Sequence, residues 1–160
     1  MALELTLLVG TMTGTAQLVA QEIELACEAV DTKIVTRLMD GLDAGVLEAG
    51  ALFLIVTSTY GQGDVPDNAR ELYESLRQRR PHLGALRYGV IALGDRTYAD
   101  TFCAGGRKFD VLLGELGATR IGEPMYHDAA SGTLPEEVAL EWVGQWLEQA
   151  RVTLATAARS

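Results

Sequence analysis

The sequence predicts an open, doubly wound α/β domain on a five-stranded parallel sheet, and three observations carry that reading. Apolar runs at Leu3 to Val9, Ala51 to Thr57 and Tyr88 to Leu93 are almost free of charge, as strands covered on both faces require. The segments between them repeat apolar residues at i, i+3 and i+4, the spacing of helices that lay one stripe on a sheet. Strand and helix alternate along the chain, which favours parallel strands joined by crossovers.

The elements follow in order. After the first strand, a helix with its stripe on Ala16, Val19, Ala20, Ile23, Cys27 and Val30 is expected to run without a break to about Val30. Lys33 to Leu38 is the second strand and the most polar; the third and fourth are the runs at Ala51 and Tyr88. Helices are expected over Asn68 to Arg79 and again after Thr101, where Phe109, Leu112, Leu113 and Leu116 form the apolar stripe. A short fifth strand is placed near Thr119 to Ile121. The last helix starts after Pro135, with Val138, Trp142, Val143, Trp146 and Leu147 on its inner face. A single domain over residues 1–150 is expected, followed by a tail from Arg151 to Ser160 that frays.

A chain of 160 residues is long enough to bury roughly 70% of its unfolded surface without a covalent staple. Cys27 and Cys103 lie far apart, and neither they nor His82 and His127 have metal-ligand spacing, so no disulfide framework or metal site is expected. The amino-terminal stretch carries Glu4 and lacks the basic flank and apolar run of an export signal, which predicts a cytoplasmic protein. A net charge of −9 disfavours nucleic acid and anionic membranes and favours a basic protein partner. Between Met1 and Thr32 there is no lysine or arginine, so an anion held there must be held by dipoles.

In doubly wound sheets, ligands sit outside the carboxyl ends of the strands where strand order reverses. The loop after the first strand reads Gly10-Thr11-Met12-Thr13-Gly14-Thr15-Ala16 and opens a helix. Hydroxyls, backbone N–H groups and the positive end of a helix dipole together suit a phosphate. No lysine follows the second glycine, so this is not a Walker loop. The loops after the third and fourth strands each set one tyrosine, Tyr60 or Tyr98, among glycines and small polar residues. Two such rings suit the two faces of a flat heterocycle, with backbone groups at its polar edge.

These three segments resemble those of flavodoxins, in particular the small stand-alone YqcA and MioC type, and those of the FMN domain of diflavin reductases such as sulfite reductase flavoprotein. The stretches that carry the resemblance are Gly10-Thr11-Met12, Ser58-Thr59 with Gly61-Gln62-Gly63-Asp64, and Leu86 through Asp95. The resemblance implies a flavodoxin-like short-chain fold with strand order 2-1-3-4-5, FMN as cofactor and transfer of single electrons. It implies that Thr11, Met12, Thr13, Gly14, Thr15 and Ala16 hold the phosphate. Ser58, Thr59, Tyr60, Gly61, Gln62 and Gly63 would line one side of the isoalloxazine, with Gly61 beside flavin N5. Leu93, Gly94, Asp95, Tyr98, Phe102 and Cys103 would line the other, and Asp128 matches an acidic residue near the flavin in the reductases. The chain has one residue more between Tyr98 and Phe102 than those patterns. The partners implied are a flavoprotein reductase as donor and an iron–sulfur or haem protein as acceptor, met by a monomer.

Rival chemistries are weaker. A receiver domain needs an acidic cluster after the first strand, where Gly10 and Thr11 stand. A small phosphatase needs its cysteine and arginine around the phosphate loop, whereas Cys103 and Arg107 lie in another loop. An FMN-dependent NAD(P)H quinone or azo reductase of the same fold is the main alternative, against which stands the lack of a nicotinamide-binding half.

Overall fold

The computed structural model describes residues 3–11, 14–48, 52–59 and 63–158. Strands β1 (Leu3–Gly10), β2 (Thr32–Leu38), β3 (Leu52–Thr57), β4 (Arg87–Gly94), β5 (Thr119–Arg120) and β6 (Met125–Asp128) are joined by helices α1 (Thr15–Cys27), α2 (Gly45–Glu48), α3 (Asp67–Arg79), α4 (Ala104–Glu115) and α5 (Pro135–Ala158). The sheet order is β2-β1-β3-β4-β5, with β6 also paired to β4, and every pairing between these strands is parallel. The expected order of the five strand positions is the observed one.

Alternation along the strands divides the core into two layers. Leu5, Leu7 and Val9 of β1, with Leu54 and Val56 of β3, face Val19, Ile23, Val143 and Trp146 of α1 and α5. Leu8, Ile55, Val90 and Ala92 face the other way, onto Leu72, Leu76, Phe109 and Leu113 of α3 and α4. Because β1, β3 and β4 are covered on both sides, their sequences read as unbroken apolar runs; β2 lies at the edge and alternates buried with exposed residues until its exposed end.

Three boundaries differ from the sequence reading. Helix α1 stops at Cys27, because Glu28 takes extended backbone angles and Ala29 and Thr32 exchange two hydrogen bonds across a tight turn; Val30 is exposed and belongs to no stripe. Helix α5 continues past Arg151 to Ala158, and Arg151 itself bonds the Thr32 hydroxyl and pairs with Asp31, so the helix reaches the start of β2. The fifth strand position is filled by two segments. Arg120 opposes Tyr88 and Met125 opposes Ile91, so residues 121–124 stand against Gly89 and Val90 alone. Gly122 is left-handed with φ of 68° and Pro124 has no N–H to give the ladder, which pushes the chain out of the sheet. The polar Met125-Tyr126-His127-Asp128 run is too short for a periodicity reading to find.

Trp146 is the largest fully buried side chain, and its indole Nε1 donates to the Ile121 carbonyl at 2.9 Å. Its ring lies against β4 at Gly89, where an added Cβ would sit 2.5 Å from the indole. Gly89→Ala is therefore expected to destabilise the fold by about 1–3 kcal/mol through overpacking. Urea unfolding checks this. Adding Trp146→Phe should recover part of the loss in a double-mutant cycle.

Candidate cofactor site

The parallel ladder ends in register at Gly10, Thr57 and Ala92, so the loops that follow β1, β3 and β4 leave from one edge of the sheet. Ser58 N–H still donates to the Gly10 carbonyl at 2.9 Å, holding the first two loops side by side. A cleft of about 300 Å³ opens there, lined by Thr15, Ser58, Thr59, Leu93, Gly94 and Asp95 together with residues that follow β6.

Gly14 takes the N-cap position of α1 in the left-handed region, φ 95°, and as a glycine it has no side chain of its own to cap the helix. The first free N–H groups of α1 consequently point outward with the positive end of the helix dipole. Thr11 shapes the loop from behind: its hydroxyl accepts the Gly14 N–H at 2.8 Å, and its own N–H donates to Asn68 Oδ1 at 2.8 Å. Asn68 also donates to the Val9 carbonyl and to Asp40, so one side chain at the start of α3 ties the end of β1 to the loop after β2. Among the described residues beyond its chain neighbours, nothing lies within 4 Å of the position a Gly14 Cβ would take. Ala16 is buried one step into the helix, and Thr15 faces the cleft.

Thr59 is placed in the cleft wall, yet its hydroxyl is already engaged. It donates to the Leu93 carbonyl and accepts the Gly105 N–H, both at 3.1 Å, and thereby clamps the end of β4 to the start of α4. Asp95 Oδ1 accepts the Thr97 N–H at 2.8 Å, which tightens the turn after β4. Tyr98 stands out from that turn, two-thirds exposed. Gly63 takes a left-handed conformation and packs near Ala104 and Thr101.

The remaining expected residues lie behind or beside the cleft. Phe102 and Cys103 belong to the core that packs under α4 and do not line the cavity. Cys103 Sγ donates to the Ala92 carbonyl at 3.3 Å, and burial pushes its thiol up to about 12. Asp128 accepts the N–H groups of Arg96 and Ala130, each at 2.9 Å, and these two bonds, Arg96 first, hold its carboxyl below the usual range. Its role in the structure is to brace the turn after β4 from the end of β6. Met12, Thr13, Tyr60, Gly61 and Gln62 lie outside the described residues.

Sequence reasoning missed the wall that follows β6. His127 is buried and lines the cleft with Ala129, Thr133 and Pro135, and its Nε2 lies 3.0 Å from the Thr133 hydroxyl. The signal that points to this wall is the Ser131-Gly132-Thr133 cluster just before Pro135, a turn followed by a helix start. Asn68 reads in the sequence only as a helix residue, and no local pattern marks its reach to Thr11.

Residues 7–142 match the Flavodoxin family. The chain belongs to that family. Flavodoxin YqcA of Pectobacterium carotovorum is 40% identical over 145 residues, 91% of this chain and 95% of the relative. Protein MioC of Escherichia coli O157:H7 is 35% identical over 144 residues, 90% of this chain and 96% of its own length. A mutant of a flavodoxin from Pseudomonas aeruginosa superposes with a TM-score of 0.82 at 33% identity, covering 92% of this chain and 98% of its own. The sulfite reductase flavoprotein alpha-component of Vibrio parahaemolyticus is 38% identical over 156 residues, where this chain corresponds to 24% of the larger protein. This flavodoxin is an electron-transfer protein whose cofactor is FMN. The donor set fits such a group: the N–H groups of a helix start for a phosphate, and a cleft between backbone-rich loops for a flat ring system.

The contrast between the two thiols gives a direct check on the wall behind the cleft. At pH 8 a thiol at about 12 is ionised in only about one molecule in ten thousand, and the thiolate is the reactive species. In folded protein, a disulfide reagent is expected to modify half-buried Cys27 slowly and to leave Cys103 untouched. Both thiols should react at once in denaturant, and mass spectrometry of the labelled peptides distinguishes them.

Proposed function

We infer that FMN is held with its phosphate on the N-terminus of α1 and its ring system between the loops after β3 and β4. The observation that carries this assignment is a left-handed glycine helix start whose next residue, Thr15, lines the cleft, in a stretch that has no cationic side chain before Lys33. Bound FMN supplies the redox centre, and the protein supplies its surroundings. Thr15 and the N–H groups around Gly14 bind the phosphate without bringing in a positive charge. Leu93, Gly94 and Asp95 set one wall, Ser58 and Thr59 the base, and Tyr98 stands where a ring can cover the outer face. Tyr60, Gly61 and Gln62, which follow Thr59 in sequence, are assigned to the opposite face of the ring by the flavodoxin resemblance alone. Asp95 and the net charge of −9 keep added negative charge on the cofactor costly, which favours a strongly reducing carrier.

The chain passes single electrons from a flavoprotein reductase to an iron–sulfur or haem protein, works as a cytoplasmic monomer, and has no substrate chemistry of its own. No described helix is long and apolar enough to cross a membrane. The sulfite reductase relative supports a flavoprotein as donor, because there a flavodoxin-like segment is part of a larger NADPH-dependent flavoprotein.

Titration of FMN-free protein with FMN is expected to saturate at one per chain, with riboflavin binding far more weakly. Gly14→Ala places a Cβ at φ 95°, a strain of about 1–2 kcal/mol, and should weaken FMN roughly tenfold while leaving riboflavin affinity nearly unchanged. Equal losses for both ligands would remove the phosphate from this helix. NADPH with a quinone should be consumed no faster than with free FMN at the same concentration; rapid turnover would make the chain a reductase.

A further inference from the structure

Most arginines of this acidic chain sit against a carboxylate, as Arg77 does on Glu74 and Arg80 on Glu115. Arg96 and Arg107 are held differently. The Arg96 guanidinium carbon lies 4.6 Å over the centroid of the Phe102 ring, and that of Arg107 lies 5.1 Å over the Tyr126 ring. The two rings meet edge to face, 6.4 Å apart with 65° between their planes. Four side chains therefore form a continuous ladder from the turn after β4, across β6, to α4. Both arginines are exposed, Tyr126 is 40% exposed, and Phe102 is the buried anchor. Among the described residues, neither guanidinium forms an ion pair.

We propose that this arginine–aromatic ladder is a docking surface for a protein partner that presents a cluster of carboxylates beside its own redox centre. A guanidinium stacked on a ring keeps the N–H groups at its edge free for a carboxylate, which it meets in a planar fork. Stacking also fixes the side chain beforehand, so less rotamer freedom is lost when a partner docks. Arginine and tyrosine are the side chains enriched at the centres of protein interfaces, and here they alternate with aromatic packing beneath. The ladder adjoins the cleft: Arg96 follows Asp95, and its backbone N–H is held by Asp128. The two guanidiniums thus stand in a rim that also holds the carboxylates of Asp95 and Asp128, within a field that is negative overall, so a partner drawn in by its basic surround would be oriented by carboxylates that meet the free guanidinium edges. The proposal extends the electron-carrier reading, but its test requires no bound cofactor.

The test uses the full chain, as purified and again after FMN is added, with fluorescein-labelled hexaglutamate as probe. At 0.1 M salt the screening length is about 10 Å, so the local rim and not the net charge is felt. The peptide is expected to shift the Nε–Hε resonances of Arg96 and Arg107. In the Arg96→Gln/Arg107→Gln variant, anisotropy should show binding about fivefold weaker or more. The Lys33→Gln/Arg37→Gln variant loses the same charge at the far edge of the sheet and should bind as the wild type does. Equal weakening in both variants would reduce the effect to net charge and overturn the proposal. So would shifts confined to other arginines, or an absence of shifts in the wild type, a readout that does not depend on any variant folding. Inorganic phosphate producing the same shifts as the peptide would make the ladder a small-anion site and overturn the assignment to a protein. The result is independent of the FMN titration, so a failure of either reading leaves the other standing or falling on its own data.

Discussion

The parallel pairing of β1 with β3 and of β3 with β4 is the constraint on which the rest of the molecule depends. Parallel strands in register must send all their following loops off the same edge, and Gly10, Thr57 and Ala92 end level with one another. The crossover helices that make parallel pairing possible then begin at that edge. The start of α1 lines the cleft at Thr15, and the start of α5 reaches it at Pro135. A helix start at the edge where the loops gather is thus a consequence of topology before any side chain is chosen.

Side chains then convert an open edge into a fixed shape, and each brace joins elements distant in sequence. Asn68 connects α3 to the loop after β1, Thr59 connects β3 to β4 and α4, and Asp128 connects β6 to the turn after β4. In each case a side chain satisfies backbone groups that a loop would otherwise leave to water. Rigid walls of this kind suit an electron carrier, because a site that changes little between charge states needs little reorganisation. The protein's contribution is preorganisation of dipoles around a group that brings its own chemistry.

Much of this was legible in the sequence. The apolar runs of β1, β3 and β4 stand out because strands buried on both faces admit almost no polar residue, and Gly10 to Ala16 stands out as a strand end that opens a helix. What was not legible depends on contacts between distant segments. Thr59 reads as a cleft residue, which it is, but its bracing of Leu93 and Gly105 through the hydroxyl has no local signal. Phe102 and Cys103 are cleft residues by the flavodoxin resemblance, whereas both are buried in the core under α4. His127 carries no local signal at all, since β6 is four residues long and its place beside β4 exists only after the chain has left the sheet and returned.

That departure has a consequence for how the domain tolerates change. Between Arg120 and Met125 the backbone already abandons the ladder, at the outermost position of the sheet, while Trp146 holds the Ile121 carbonyl from the helix side. The two halves of the split strand are each anchored independently to β4. Additional residues spliced in at Gly122 or Glu123 would lengthen an excursion that is already made, and lengthening a loop costs only a slowly growing entropy. The same residues inserted within β1 or β3 would shift a face of side chains from core to water. The outer strand position is therefore where this architecture can acquire a new appendage without disturbing the walls of the cleft.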